Sequence, residues 1–542
     1  MHMKRILFSL FALCALTLSL SAKPARRGAM TLTQPDGTTI TAYLHGDAFY
    51  HYYTTADGKM LQRDGNGFYQ PAPMLPETDL KERFEQAPRR VVRLKKAGSE
   101  LNLAPRGLII LVNFTDLELK TEKAEMDSML NGLNYSRRYQ GYTTAGKKTV
   151  IISQGSARQY FHDTSFGQYN PVFDVVGPVT VSKSHDYYGE NNRQGDDKHV
   201  EDMIKEACEL VEDEVDFTLY DNNNDGKVDF VYVIYAGYGE ADGAGDDYIW
   251  PHNYHLSYTG TNCVVDGKKV DNYACSNELD YYSKEHDGIG TFCHEFSHVL
   301  GLPDLYVTNN GTHKTMGAWD ILDYGPYNND GNTPPHYSAY ERFFMGWLKP
   351  TILNRPCDAV LSQLGTTNTA AILTATGEHN LIGNDPMART FYMLENRQKE
   401  GWDQFLPGHG MLITKINYSQ SKWAGNTVNN TSSSMGVDII EADGKTPSFS
   451  QTNSNNGYAG KIGDAYPAGS DSFTKLPEYQ VTAIDEIDGK ITFKVNGGGD
   501  MIKVAVEDVF QPATSTAKKI IRNGQILIER NGVYYDLMGN RQ

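Results

Sequence analysis

Two histidines four residues apart enclose a glutamate in the run His294-Glu295-Phe296-Ser297-His298-Val299-Leu300-Gly301-Leu302-Pro303-Asp304. On an α-helix, residues at i and i+4 lie one turn apart on one face. Both imidazoles can therefore reach one ion, and imidazole is a good zinc ligand. Glu295 is the next residue round the helix. It can approach a water on that ion without capping the metal, which is the position of a general base. The helix must then stop so that a third ligand can return. Gly301 suits a left-handed terminal turn, Pro303 bars continuation, and Asp304 can supply a carboxylate oxygen. Three protein ligands leave one position open for water and substrate, as catalytic zinc requires. Glu341 is the runner-up third ligand; the preferred reading of it is a charged residue on a helix from Ser338 to Met345.

A second cluster has oxygen side chains at alternate positions. Asp221, Asn223, Asp225 and Asp229, with Gly226 sixth in the run, match the first half of a calcium loop. The glutamate that completes such a loop is replaced by Tyr232. A structural calcium site is favoured over an Asp/Asn turn that merely begins a strand. Cys293 reads as a small buried apolar residue, and His252, His255, His286 and His409 as surface or satisfied histidines.

These residues need a frame. Leu108 to Phe114 is a continuous apolar run, as expected of a strand buried on both faces, and Phe230 to Ala236 is another. Helical spacing marks Lys120 to Leu133 and Lys198 to Glu212. Strands mixed with helices predict an α/β domain over about 106–350. Before it, Met30 to Pro73 shows short β-like runs with turns at Asp36-Gly37, Asp57-Gly58 and Asp64-Gly65. A charged stretch, Glu77 to Pro105, containing Arg89-Arg90 and Lys95-Lys96, reads as a partly helical, cleavable linker. After Pro350, strands such as Phe391–Leu394, Gly410–Ile416 and Lys490–Val495 lie between Gly, Asn and Ser clusters, which predicts a β-sandwich-like domain over 351–496. Gly497-Gly498-Gly499 reads as a flexible joint. Asn523-Gly524 and Asn531-Gly532 bracket Gln525–Glu529 in a terminal β meander within 497–542.

The N-terminus has a basic start, Lys4-Arg5, an apolar run from Ile6 to Leu20, and small residues Ser21-Ala22. Residues 1–22 therefore read as a secretory signal peptide rather than an anchor helix, and no later stretch is long and apolar enough for a membrane span. A net charge of -17 repels phosphate backbones, so nucleic acid is excluded as a partner. Five cysteines remain beyond Cys14, an odd number that excludes a dense disulfide framework. Cys263 and Cys275 are the pair close enough in sequence for a local bridge.

The extended H-E-x-x-H-x-x-G-x-x-D motif resembles that of the immune-inhibitor-A-like secreted metallopeptidases, bacterial relatives of the metzincins with Asp as third zinc ligand. Further segments resemble that family: Gly155-Ser156-Ala157-Arg158-Gln159-Tyr160-Phe161, Ile249-Trp250-Pro251-His252, Trp319-Asp320-Ile321-Leu322, Met345-Gly346-Trp347-Leu348, Glu395-Asn396-Arg397-Gln398 and Gly408-His409-Gly410. The resemblance covers about 106–450. It implies a multidomain protein: a propeptide-like β module and linker over 23–105, a metzincin-like α/β zinc-protease catalytic domain over 106–350, and the β-sandwich-like domain beyond. It implies catalytic zinc on His294, His298 and Asp304, Glu295 as general base, and protein or peptide substrates cleaved outside the cell. Metzincins place a methionine in a turn beneath the metal. Aligned on Trp319-Asp320-Ile321, Leu322 stands there, with Met316 close by. Some metzincins add a tyrosine hydroxyl that stabilises the transition state; Tyr324 is the candidate, against the preferred reading of a packing tyrosine. Residues 518–542 resemble the C-terminal secretion modules of Bacteroidetes-type surface proteins, which implies secretion or cell-surface association. Two other functions fit the composition: an inactive surface- or matrix-binding protein on a protease scaffold, and a zinc hydrolase acting on a glycan-linked amide. The intact Glu295 speaks for the peptidase.

Overall fold

The computed structural model describes residues 21–86, 105–142, 148–192, 195–309, 311–446 and 460–504, together with strands Lys518–Arg522, Gln525–Arg530 and Val533–Tyr535. The apolar run before the expected cleavage point lies outside the described residues, as do the basic pairs of the linker.

The two runs expected to be buried strands are neighbours in one sheet. Arg106–Asn113 lies between Val172–Thr180 and Val231–Tyr238, parallel to both. Asn272–Leu279 extends the sheet in parallel, His252–His255 follows it antiparallel, and the two-residue strand Ser21–Ala22 lies outermost. Alternate side chains of Arg106–Asn113 point to opposite faces. Ile109 and Leu111 enter the core beneath helix Gly290–Val299, while Leu108, Ile110 and Val112 enter the core beneath helix Val200–Val211. Burial on both faces is why this strand carries no polar alternation. The two helix expectations correspond to Lys123–Asn131 and Val200–Val211, each a few residues shorter than its periodic pattern because helix ends fray into turns.

The N-terminal stretch forms a five-stranded antiparallel meander from Met30–Thr33 to Tyr69–Ala72. Its apolar residues Leu32, Leu44 and Tyr53 join the same core as Trp250 and Tyr254. In the third expected turn, Gly67 rather than Gly65 takes the left-handed conformation, with φ 83°. Asp64 accepts backbone hydrogen bonds from Asn66 and Phe68, which shifts the turn two residues along.

Beyond residue 350, a five-stranded and a four-stranded sheet share a core that includes Leu361, Leu373, Leu394, Ile413, Val481 and Phe493. The triple glycine is not a joint in this structure. It turns the chain into strand Met501–Val504, which pairs in parallel with Cys357–Leu361. Residues 505–542 form a separate unit; its described strands pair as an antiparallel three-stranded sheet. The five cysteines are free and buried. Cys263 adjoins Cys208 rather than Cys275, whose Sγ lies 3.8 Å from His252 Nδ1. Strand pairing separates Cys263 from Cys275, and helix packing brings in Cys208.

Buried charges tie the central region to these later sheets. Arg397 binds Asp403 at 2.6 Å and Glu395 at 3.3 Å, and its guanidinium donates to the carbonyl of His336. Lys314 pairs with Asp464 at 2.9 Å, and the Trp319 indole donates to the same carboxylate. The loop 311–325, which runs under helix Gly290–Val299, is thus fixed from its far side. That helix is buried along its whole length. Phe296 anchors it, with ring centroids 4.9 Å from Phe161, 5.0 Å from Phe230 and 5.3 Å from Phe173. Phe296→Ala is expected to lower unfolding free energy by about 3–5 kcal/mol, the usual cost of removing a core phenylalanine; urea titration followed by tryptophan fluorescence measures it.

Candidate metal centre

Helix Gly290–Val299 presents His294 and His298 one turn apart, both fully buried. Gly301 has φ 98°, a left-handed turn that ends the helix. Leu305 N–H then donates to the carbonyl of Leu322, and the chain passes back over the two rings. The three expected donor atoms meet. His294 Nε2 and His298 Nε2 are 3.2 Å apart, and Asp304 Oδ1 lies 3.4 Å from the first and 3.3 Å from the second. Ligands at zinc–nitrogen distances of about 2.0–2.1 Å on a tetrahedron stand about 3.3 Å apart. The triangle has the dimensions of one face of a tetrahedral zinc site.

The second ring nitrogens fix the tautomers. His294 Nδ1 lies 2.7 Å from the Ile321 carbonyl, and His298 Nδ1 2.8 Å from the Leu302 carbonyl. A carbonyl only accepts, so each Nδ1 carries the proton and each Nε2 turns its lone pair inward. Asp304 Oδ1 accepts no hydrogen bond although it is wholly buried. A buried carboxylate oxygen left this way calls for a cation.

Asp304 is gripped by a residue that sequence reasoning missed. Asn426 Oδ1 accepts from the Asp304 backbone N–H at 2.7 Å, and Asn426 Nδ2 donates to Asp304 Oδ2 at 2.6 Å. Asn429 donates to the Leu305 carbonyl, and Asn430 accepts from Thr308 N–H. The asparagine-rich loop after helix Gln420–Ala424 thus straps the segment that bears the third donor. In the sequence these asparagines look like ordinary turn residues.

Glu295 is fully buried beside the triangle, and burial pushes its carboxyl up to about 8. Its Oε1 accepts a 2.8 Å hydrogen bond from the backbone N–H of Lys23. Ser21–Ala22 pairs antiparallel with strand His252–His255 at Asn253 and His252. The Ala22 carbonyl accepts from the Tyr306 hydroxyl, and the Lys23 carbonyl accepts from the Trp250 indole at 2.9 Å. The chain's own Ala22–Lys23 peptide is therefore held at its oxygen by Tyr306 and at its nitrogen by Glu295. Tyr306, two residues beyond Asp304, was also missed; nothing in its local sequence sets it apart from the other tyrosines.

Tyr324 stands farther along this segment, its hydroxyl accepting from Arg27 N–H at 3.2 Å. Met316 and Leu322 are both buried in the core around the helix, and the carbonyl that orients His294 belongs to Ile321, next to Leu322. Glu341 caps its own helix, accepting from Ser338 N–H at 2.6 Å, and is not brought to the histidines. His252, His286 and His409 have partners in Tyr273, Tyr135 and Glu486, and His255 lies 3.5 Å from Asp271. In the second cluster, Asp221 accepts from Asp225 and Gly226 N–H and from Lys268 Nζ at 2.7 Å, and Asp229 accepts from Asn222 and Asn223.

Asn426→Ala is expected to weaken zinc binding about 10–100-fold, as loss of an outer partner of a metal ligand does; competition with a chromogenic chelator measures it.

Residues 98–348 match the family model described as immune inhibitor A peptidase M6, catalytic domain. The Pre-pro-metalloprotease PrtV of Vibrio cholerae serotype O1 (strain ATCC 39315 / El Tor Inaba N16961) is 28% identical over 276 residues, covering 44% of this chain and 29% of that protein. Immune inhibitor A of Bacillus thuringiensis subsp. alesti is 26% identical over 274 residues, covering 44% of this chain and 39% of that protein. The matched stretch spans well under half of either relative. With a mixed α/β fold around the histidine pair, residues 98–348 are similar to the peptidase M6 catalytic domain of the immune inhibitor A type.

Proposed function

We infer that this chain is a secreted zinc-dependent endopeptidase, with His294, His298 and Asp304 holding the metal and Glu295 acting as general base. The observation that carries the reading is the convergence of three donor atoms, from His294, His298 and Asp304, with the buried Glu295 carboxyl beside them and facing the Lys23 nitrogen. When bound, zinc supplies a Lewis acid that makes water acidic and polarises a carbonyl. Glu295 takes a proton from the attacking water and delivers it to the amide nitrogen, the atom its Oε1 already faces. Tyr306 donates to the carbonyl oxygen as negative charge develops there, a role the geometry favours for it over Tyr324. Strand His252–His255 aligns the substrate by adding it to the sheet.

A segment lying across the cleft also supports the zymogen reading. Residues 23–27 take the place a substrate would need, and the Vibrio relative is named as a pre-pro-metalloprotease. The N-terminal meander is then the propeptide, the sheets beyond 350 an accessory region, and the terminal unit a candidate sorting module. Secretion rests on the N-terminal apolar segment, and no helix among the described residues is long and apolar enough to cross a membrane.

Calcium in the loop 221–229 is the second metal proposed. The ion would take over Asp221 from Lys268, so its binding would be seen as a change in stability. Calcium is expected to raise the melting temperature by about 2–4 °C in wild type and not in Asp225→Ala, read by scanning calorimetry. Equal curves with and without calcium would return the loop to an Asx turn.

The peptidase reading is tested with an unstructured protein substrate. Glu295→Ala is expected to keep its zinc and lose about 10²–10⁴-fold in rate. Tyr306→Phe is expected to lose about 10²–10³-fold in kcat with KM little changed. Zinc content by mass spectrometry and product formation by gel or fluorescence give both numbers. Cleavage undiminished in Glu295→Ala would remove the assignment.

A further inference from the structure

The side chain of Lys23 enters a pocket of unusual composition. Its ammonium is 3.1 Å from Asp242 Oδ1 and 3.8 Å from Asp287 Oδ2, and it donates to Thr291 Oγ1 at 2.9 Å. It also stands 4.4 Å above the Tyr327 ring. Lys23 itself is 1% exposed. One carboxylate oxygen from each of Asp242, Asp280 and Asp287 lies within 4.8 Å of the others, and all three residues are buried. Asp280 is paired with Arg26, three residues farther along the same segment.

Two facts turn this cluster into a subsite. First, its walls belong to the stretch 98–348. Thr291 lies one turn before Glu295 on the site helix, and Asp287 accepts from the Thr291 hydroxyl. The pocket therefore stays when residues 23–27 leave the cleft. Second, the backbone of Lys23 is in register with the catalytic groups: its nitrogen faces Glu295, and in the unprocessed chain the Ala22 carbonyl before it faces Tyr306, so that removal of residues 1–22 leaves Lys23 as the residue after a cut bond. Its side chain consequently occupies the position that follows the scissile bond. Three buried carboxylates left without cations cannot all stay ionised cheaply. An incoming ammonium restores the pairing, finding oxygen acceptors and a ring face around one nitrogen.

We propose that the cleft selects a lysine side chain immediately after the scissile bond, with Asp242, Asp287, Thr291 and Tyr327 forming the recognising pocket. This rests on the endopeptidase reading, and the test separates the two. The full chain, under conditions where it cleaves an unstructured protein, is given a denatured protein mixture, and the new N-termini are sequenced. Lysine is expected to lead them with about tenfold enrichment or more. In Asp242→Asn, the kcat/KM ratio of a lysine peptide to its leucine counterpart is expected to fall about tenfold or more. New N-termini led by apolar residues or by arginine, with cleavage still dependent on Glu295, would overturn the lysine pocket and leave the peptidase standing. Wild type and Glu295→Ala equally inert would overturn the peptidase, and the subsite with it. A second readout needs no catalysis. Lys23→Ala in the full chain is expected to melt earlier, and n-butylammonium to restore part of the loss, whereas n-butanol does not. The same cation should fail with Lys23→Ala/Asp242→Asn. Equal response of the two variants would also overturn the pocket.

Discussion

Three lone pairs must converge inside the protein with no protein proton to satisfy them. That requirement governs the arrangement around His294, His298 and Asp304. Each imidazole is turned inward because its other nitrogen is committed to a carbonyl, one from Ile321 and one from Leu302. The carboxylate is turned inward because Asn426 occupies its other oxygen and its backbone N–H. Removing any of these partners frees a donor to rotate toward a better-solvated position. The aromatic packing of Phe296 and the ion pairs of Arg397 and Lys314 serve the same end at longer range, since they fix the helix and the loop under it.

The donor set was legible because it is local. Eleven consecutive residues contain both histidines, Glu295, the helix stop and the third carboxylate, and one helical turn followed by a tight stop brings the donors near one another. The central strands were legible for a different reason: burial on both faces leaves an unbroken apolar run that few other structures produce. What escaped notice came from far along the chain. Asn426 is 122 residues from Asp304, and as an isolated residue it is a turn former. Tyr306 is one tyrosine among 34, distinguished only by what its hydroxyl meets. Asp242 and Asp287 are ordinary acidic residues until a fold places them around one amine. The cysteine pairing was misjudged on the same ground, because proximity in sequence says little once strands intervene.

The N-terminal segment joins the two kinds of information. It takes up an open sheet edge, the ordinary way in which an extended peptide is held by backbone groups. It also sends Lys23 and Arg26 into acidic surroundings that would otherwise be costly to keep folded. Backbone pairing sets its position and direction, while the two cations set which residue stands at the centre. One stretch of chain thus covers the cleft and neutralises it.

The clamp supplied by Asn426 also reaches across the boundary of the matched stretch. The family match ends at residue 348, yet the carboxylate donor is secured only by a loop nearly eighty residues later. A chain stopped between those points possesses the helix, both imidazoles and Glu295, but its third donor is untethered. The stretch that matches the family is therefore not self-sufficient in presenting the three donor atoms: a truncation after residue 348 takes away the side chain that aims the carboxylate.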